Sequence, residues 1–368
     1  MHRGAVDADA KTGDGAGVLT QIPYKLFAKD LAKMGHKLFN ETDLAVGFFF
    51  FPRENAYHLA QCKAIIEDVL KKRGLFLFGW RRVPTDKSVL GDKAFATVPE
   101  IEQALIGRTS GQNDETYERT LFLARKEIER RIADASIPNF YAASLSHRTI
   151  IYKGLMVSIQ LDRFYKDLRS TDYETAFCVF HQRYSTNTFP TWALSQPFRM
   201  LGHNGEINTI QGNRNWMAAR TPEFNSPLYD WDDLRQLHPI CTPGNSDSGS
   251  LDNTLELLSF SGRDLLHSIM MLVPAAWRTE PHADESLKGF YEFHNCLLEP
   301  WDGPAALVFA DGNVVGACLD RNGLRPARYK VTTDGFIVMA SEVGTIEIPD
   351  SKVLEKGRLG PGEMIAVD

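Results

Sequence analysis

The chain has 368 residues, 43% hydrophobic and 24% charged, with a net charge of −6. That composition supplies a globular core, and the absence of a basic tract gives no electrostatic reason to bind nucleic acid. No apolar run reaches membrane-spanning length, and the first residues lack the charged and apolar regions of a secretory leader.

In chain order, the glycine-rich stretch Lys11–Leu19 predicts a turn leading into a strand at Gly17–Ile22. It does not end in Gly-Lys-Ser/Thr, so it is not a phosphate loop. Leu44–Phe51 predicts a strand closed by Pro52. Glu54–Lys72 carries Leu59, Cys62, Ile65, Ile66, Val69 and Leu70 at helical spacing. Leu75–Trp80 predicts a strand, and Ile101–Ile106 is ambiguous. Leu121–Leu123 predicts a strand and Glu127–Ala133 a helix. Ala142–Leu145, Thr149–Tyr152 and Met156–Ser158 predict a meander. Short strands follow at Ala176–His181 and Arg199–Gly202. Helices are expected at Ile207–Arg220, Ser248–Ser259, Arg263–Leu272 and Ser286–Leu298. The last quarter predicts strands at Ala305–Ala310, Val314–Leu319, Ala327–Thr332, Phe336–Ala340 and Met364–Val367, with Asp311-Gly312 and Asp334-Gly335 as hairpin turns. Strands and helices without regular βαβ alternation indicate an α+β layered fold in one domain spanning residues 1–368.

The cysteines Cys62, Cys178, Cys241, Cys296 and Cys318 are dispersed, odd in number and without a Cys-x-x-Cys pair. This argues against a disulfide framework, a zinc site or an iron–sulfur cluster, and fits a reducing cytoplasm. Cys178, in an apolar strand, is expected to be buried.

The densest polar signal runs from His181 to Trp216. Arg183 offers a planar fork for a carboxylate. Asn204-Gly205 offers a side-chain amide beside an unobstructed backbone N–H, a pair able to hold a developing oxyanion, or simply a tight turn. Asp247 fits the partner of a substrate ammonium, although Ser246 or Asp247 also fits a helix N-cap.

The blocks His181–Thr186, His203–Asn208, Gly212–Trp216 and Ser246–Ser248 resemble the class II glutamine amidotransferases of the glutamate synthase type. So do His2–Ala5 with Thr12–Gly15, Trp301–Ala305, and Leu319–Tyr329 with its Asp-Arg-Asn-Gly-Leu-Arg-Pro run. The resemblance covers essentially the whole chain. It implies a four-layer αββα N-terminal-nucleophile hydrolase sandwich, with glutamine hydrolysed by an N-terminal cysteine. In that resemblance Arg183 binds the glutamine carboxylate, Asn204 and Gly205 form the oxyanion hole, and Asp247 binds the ammonium. The sequence departs from the family in starting at His-Arg-Gly-Ala, so the nucleophilic cysteine and the first strand are expected to be missing. It implies no cofactor in this chain, but FMN and an iron–sulfur cluster in a full-length parent. The implied partners are L-glutamine and a synthase region, on the same polypeptide or another subunit. A cytoplasmic setting is expected, or a plastid for a plant protein. A non-catalytic glutamine-binding module is the alternative.

Overall fold

The computed structural model describes residues 11–109, 111–182, 190–278, 284–342 and 344–368. The chain opens with β1 (Ala16–Gln21) and α1 (Tyr24–Lys33), a helix whose buried Leu26, Phe27 and Leu31 share one side. There follow β2 (Leu44–Phe51), α2 (Ala56–Lys72), β3 (Phe76–Arg82), α3 (Asp92–Ala96), β4 (Glu100–Gly107), α4 (Asp114–Asp134), β5 (Tyr141–Ser146), β6 (Thr149–Gly154), α5 (Ser158–Phe164) and β7 (Cys178–His181). Next come β8 (Leu201–Gly205), α6 (Ile210–Arg220), α7 (Trp231–Gln236), α8 (Asp247–Phe260), α9 (Leu265–Leu272) and α10 (Glu285–Asn295). The chain closes with β9 (Ala305–Ala310), β10 (Val315–Leu319), β11 (Arg328–Thr332), β12 (Ile337–Ala340), β13 (Val353–Arg358) and β14 (Met364–Val367).

Internal contacts divide these elements into two units. The first holds the residues up to Arg199 together with Asn225–His238, and the second holds Met200–Phe224 and Pro239–Asp368. In the first unit, two antiparallel sheets of order β6-β1-β7 and β3-β4-β2-β5 lie face to face. Alternation along β2 explains its unbroken apolar run. Val46, Phe48 and Phe50 meet Ile150 and Tyr152 of the facing sheet, with Phe48 and Tyr152 ring centroids 5.0 Å apart. Ala45, Phe49 and Phe51 point the other way, into α2 and α4. A strand buried on both faces needs no polar alternation. The result is an α+β sandwich with helices laid over its outer sheet.

Two local expectations are corrected. Leu121–Leu123 lies inside α4, whose start is capped by Asn113 accepting the Thr116 N–H at 2.8 Å. Met156–Ser158 is a turn into α5, where the Gln160 side chain accepts the Val157 N–H at 2.9 Å. The ambiguous Ile101–Ile106 is strand, within β4.

In the second unit, a four-stranded antiparallel sheet runs in the order β14-β10-β9-β8 and a three-stranded one in the order β12-β11-β13. Among the described residues, no helix is long and apolar enough to cross a membrane.

Candidate active site

The site grows out of β8. Its Leu201 and His203 are buried, while Asn204 is exposed. β8 pairs antiparallel with β9, Asn204 opposite Ala306 and Gly205 opposite Ala305. The Ala305 N–H donates to the Asp320 carboxylate at 3.0 Å, and its carbonyl accepts the Asp320 N–H at 3.0 Å. Both of its hydrogen-bonding groups are therefore turned toward Asp320. The next bond in the ladder runs from the Glu206 N–H to the Pro304 carbonyl, at 3.1 Å. Gly205 and Ala305 are thus a non-hydrogen-bonded pair, and the Gly205 N–H points away from β9. Gly205 has φ +147°, and a Cβ there would stand 1.8 Å from the Pro304 carbonyl oxygen. Only glycine fits this crossing.

α8 lies against β8 and grips both of its ends. Ser246 is the N-cap, its hydroxyl accepting the Gly249 N–H at 3.0 Å. Asp247, the next residue, accepts the Ile207 N–H at 3.0 Å. Further along the helix, Asp252 accepts the N–H groups of Met200 at 2.8 Å and Leu201 at 3.2 Å. One carboxylate holds the entry to β8 and the other its exit. Such charge-assisted bonds are worth about 1.5–3 kcal/mol each. Arg214 on α6 fixes the start of α8, donating to Ser250 Oγ at 3.0 Å and to the carbonyls of Asn245 at 2.6 Å and Ser246 at 3.0 Å.

Electrostatics follow from this packing. Burial pushes the His203 imidazole down to about 4, helped by Arg325 and opposed by Asp247 and Glu206. His203 is therefore neutral at neutral pH. Arg325 also reaches the Pro304 carbonyl at 3.5 Å. Asp320, buried, ties the Ala305 backbone to the turn beyond β10 through the Asn322 N–H at 2.9 Å.

The structure brings three of the four anticipated residues onto one strand and one helix: Asn204, Gly205 and Asp247. The fourth, Arg183, lies outside the described residues, as do His2–Ala5 and Tyr184–Thr188. The sequence reading assigned no role to Arg214, Asp320 or Arg325, although all three fall in the blocks it singled out, nor to Asp252, which falls in the predicted helix Ser248–Ser259. Their signal was a charged residue in a segment that also had to pack. Cys178 is corrected: it is exposed at the outer strand β7 rather than buried. Protein atoms crowding the thiol still push it up to about 11. Burial raises the Cys62 thiol to about 11 and that of Cys318 to about 12. The Cys241 sulfur lies 3.9 Å from the Ser250 carbonyl and from Thr254 Oγ1. Among the described residues, no three His, Cys, Asp or Glu side chains gather as metal ligands. Cys62, Cys178 and Cys318 stand in α2, β7 and β10, and Cys241 and Cys296 lie outside the helices and strands. Among the described residues they do not gather as the ligands of an iron–sulfur cluster.

An outward N–H and an exposed amide thus stand on a strand whose two ends are held by the carboxylates of Asp252 and Asp247. The chain belongs to the glutamine amidotransferases of class II, whose family model matches residues 1–368. It is 47% identical over 367 residues to the glutamate synthase [NADPH] large chain of Azospirillum brasilense, covering all of this chain and 24% of that protein. It is 46% identical to the ferredoxin-dependent glutamate synthase 2 of Synechocystis, with 23% of that protein covered. For the chloroplastic ferredoxin-dependent glutamate synthase 2 of Arabidopsis thaliana the figures are 45% and 23%. The chain thus spans about a quarter of the length of these relatives. Among solved structures, the glutamine phosphoribosylpyrophosphate amidotransferase of B. subtilis is matched over 88% of this chain and 47% of that one. The identity there is 14% and the TM-score 0.35.

Proposed function

We propose that this chain forms the glutamine-binding and oxyanion-holding part of a glutaminase site, with residues 1–368 acting as one amidotransferase domain. The reading assigns Arg183 to the glutamine carboxylate, Asp247 to its ammonium, and the Asn204 amide and Gly205 N–H to the carboxamide oxygen. The observation that carries it is the Asp247 carboxylate on the Ile207 N–H. That bond fixes an anion beside the two oxyanion donors. Each oxygen of Asp247 keeps lone-pair capacity beyond its backbone bond, so an ammonium can be accepted without breaking the clamp.

In this mechanism a thiolate attacks the carboxamide carbon, and the oxygen that gains charge is held by Asn204 and Gly205. The amide nitrogen takes a proton and leaves as ammonia. Water then cleaves the glutamyl thioester to glutamate and regenerates the thiol. The thiol is assigned to none of the five cysteines of this sequence. Burial raises the thiols of Cys62, Cys178 and Cys318 above their ordinary value, which disfavours the thiolate that attack requires. By the likeness to glutamate synthases, the ammonia passes to a synthase region that aminates 2-oxoglutarate. FMN and an iron–sulfur cluster are held there, outside this chain.

The test is calorimetric titration of L-glutamine into the chain and into Asp247→Ala. Loss of a partly desolvated ammonium partner should weaken binding by about 10- to 100-fold. Unchanged affinity removes Asp247 from the site. The raised thiols also favour a second reading, a module that binds glutamine without turnover. Ammonia release separates the two.

A further inference from the structure

We propose that the outward face of the three-stranded sheet β12-β11-β13 is a binding site for a small polyanion with an apolar portion. The proposal is independent of the glutaminase reading and uses none of its residues.

β11 and β13 pair so that Arg328 stands opposite Arg358 and Lys330 opposite Lys356. Residues two apart on a strand share a face, so all four cations lie on one side of the sheet. Like charges directly opposed across an antiparallel pair are destabilising. Here two such pairs occur in succession. Several cations elsewhere are matched to carboxylates, as with Arg81 on Asp167 at 2.7 Å and Arg73 on Glu127 at 2.9 Å. Among the described residues, none of these four has an ion-pair partner. The opposite face of the sheet is ordinary core, with Tyr329 and Met339 packed against Leu359. The cationic face is therefore not a by-product of packing.

The face is also concave. The segment after β12 lines one side of a half-open cavity of about 310 Å³ over it. Val338, Ile346 and Ile348 give that cavity an apolar wall, and all four cations line it. One carboxylate, Glu342, faces the same space, so the lining keeps an excess of three positive charges. A pocket of this size with a few convergent polar groups and an apolar wall suits a small molecule better than a flat protein surface. An anion bridging the opposed pairs would remove their repulsion.

Pyrophosphate and citrate are the probes. Each, added at constant ionic strength, should raise the thermal midpoint of the chain saturably, whereas sodium chloride should not. Lys330→Met and Lys356→Met should each weaken pyrophosphate binding by roughly tenfold, as loss of a charge-assisted contact implies. Each should also raise the midpoint without ligand, because it relieves one like-charge pair. That second readout shows the variants to be folded. Two outcomes overturn the proposal. One is a midpoint that follows ionic strength alone, or is unaltered by either substitution. The other is a response to polyglutamate with none to the small anions, which would make the face a docking surface for an acidic polypeptide.

Discussion

Replacing Gly205 by alanine tests the construction of the site directly. The new Cβ would stand 1.8 Å from the Pro304 oxygen, whereas real Cβ contacts essentially never fall below 3.0 Å. One backbone must retreat by more than an ångström. Retreat breaks the bond from the Glu206 N–H to Pro304, about 1 kcal/mol. It also places a side chain at φ +147°, which adds about 1–3 kcal/mol. With the overlap itself, the expected loss is about 3–5 kcal/mol, at the upper end for a single substitution. Gly212 supplies the contrast. It lies in the first turn of α6, and a Cβ there meets nothing within 4 Å. Gly212→Ala should stabilise by about 0.5–1 kcal/mol, since alanine costs a helix less entropy than glycine. Urea unfolding of both variants beside the wild type is the assay, with hydrogen exchange of the β8 amides to localise the effect. A Gly205→Ala midpoint equal to wild type would refute the crossing of Gly205 and Pro304 backbones as the reason for glycine.

The remaining predictions concern the clamp around that crossing. Asp252→Leu leaves the Met200 and Leu201 N–H groups without their acceptor and should cost about 2–5 kcal/mol, while Asp252→Asn, which keeps an oxygen, should cost much less. Urea midpoints of the pair distinguish them. His203 has its folded-state value depressed to about 4 against an ordinary 6.5, so the unfolded chain binds the extra proton between those values. Stability should therefore be full above pH 6.5 and fall toward pH 4, by at most about 1.4 kcal/mol per pH unit. Denaturation at several pH values should show this slope in the wild type and lose one proton's share of it in His203→Gln. Arg214→Met removes the donors that fix Asn245 and Ser246, and should weaken glutamine binding roughly three- to tenfold with Asp247 intact. Partial rescue by Arg214→Lys in the same titration would mark a positioning role.

How much of this was legible depended on whether local chemistry or distant chain decided the outcome. Strands β2, β9 and β14 lie at their predicted bounds, because an apolar run ended by Pro52, or by Asp311-Gly312, carries its own limits. α4 was misread in part because Glu118, Arg125 and Lys126 are buried beside its apolar residues, which erases the amphipathic stripe. β13 went unmarked because Val-Leu-Glu-Lys-Gly-Arg is mostly exposed and has little apolar alternation. At the site, the residue types of Asn204, Gly205 and Asp247 were readable, as was the capping role of Ser246. Their placement on one strand and one helix packed against it was not. It depends on α8 lying along β8, and the two carboxylates that enforce this, Asp247 and Asp252, are set by tertiary contact with backbone N–H groups. The buried His203 and its depressed protonation are likewise properties of packing.

The division into two units has a consequence for how the chain must be assembled. The polypeptide passes between them at Arg199–Met200, at Phe224–Asn225 and at His238–Pro239. No single cut releases either unit as an uninterrupted piece. β8, the strand bearing Asn204 and Gly205, is among the first residues of its unit to be made. It then waits for Ala305–Ala310, roughly a hundred residues later, before it gains its pairing partner. Until then its backbone groups and apolar side chains are open to the wrong neighbour. β8 therefore stays open to misassembly during synthesis until β9 has been made.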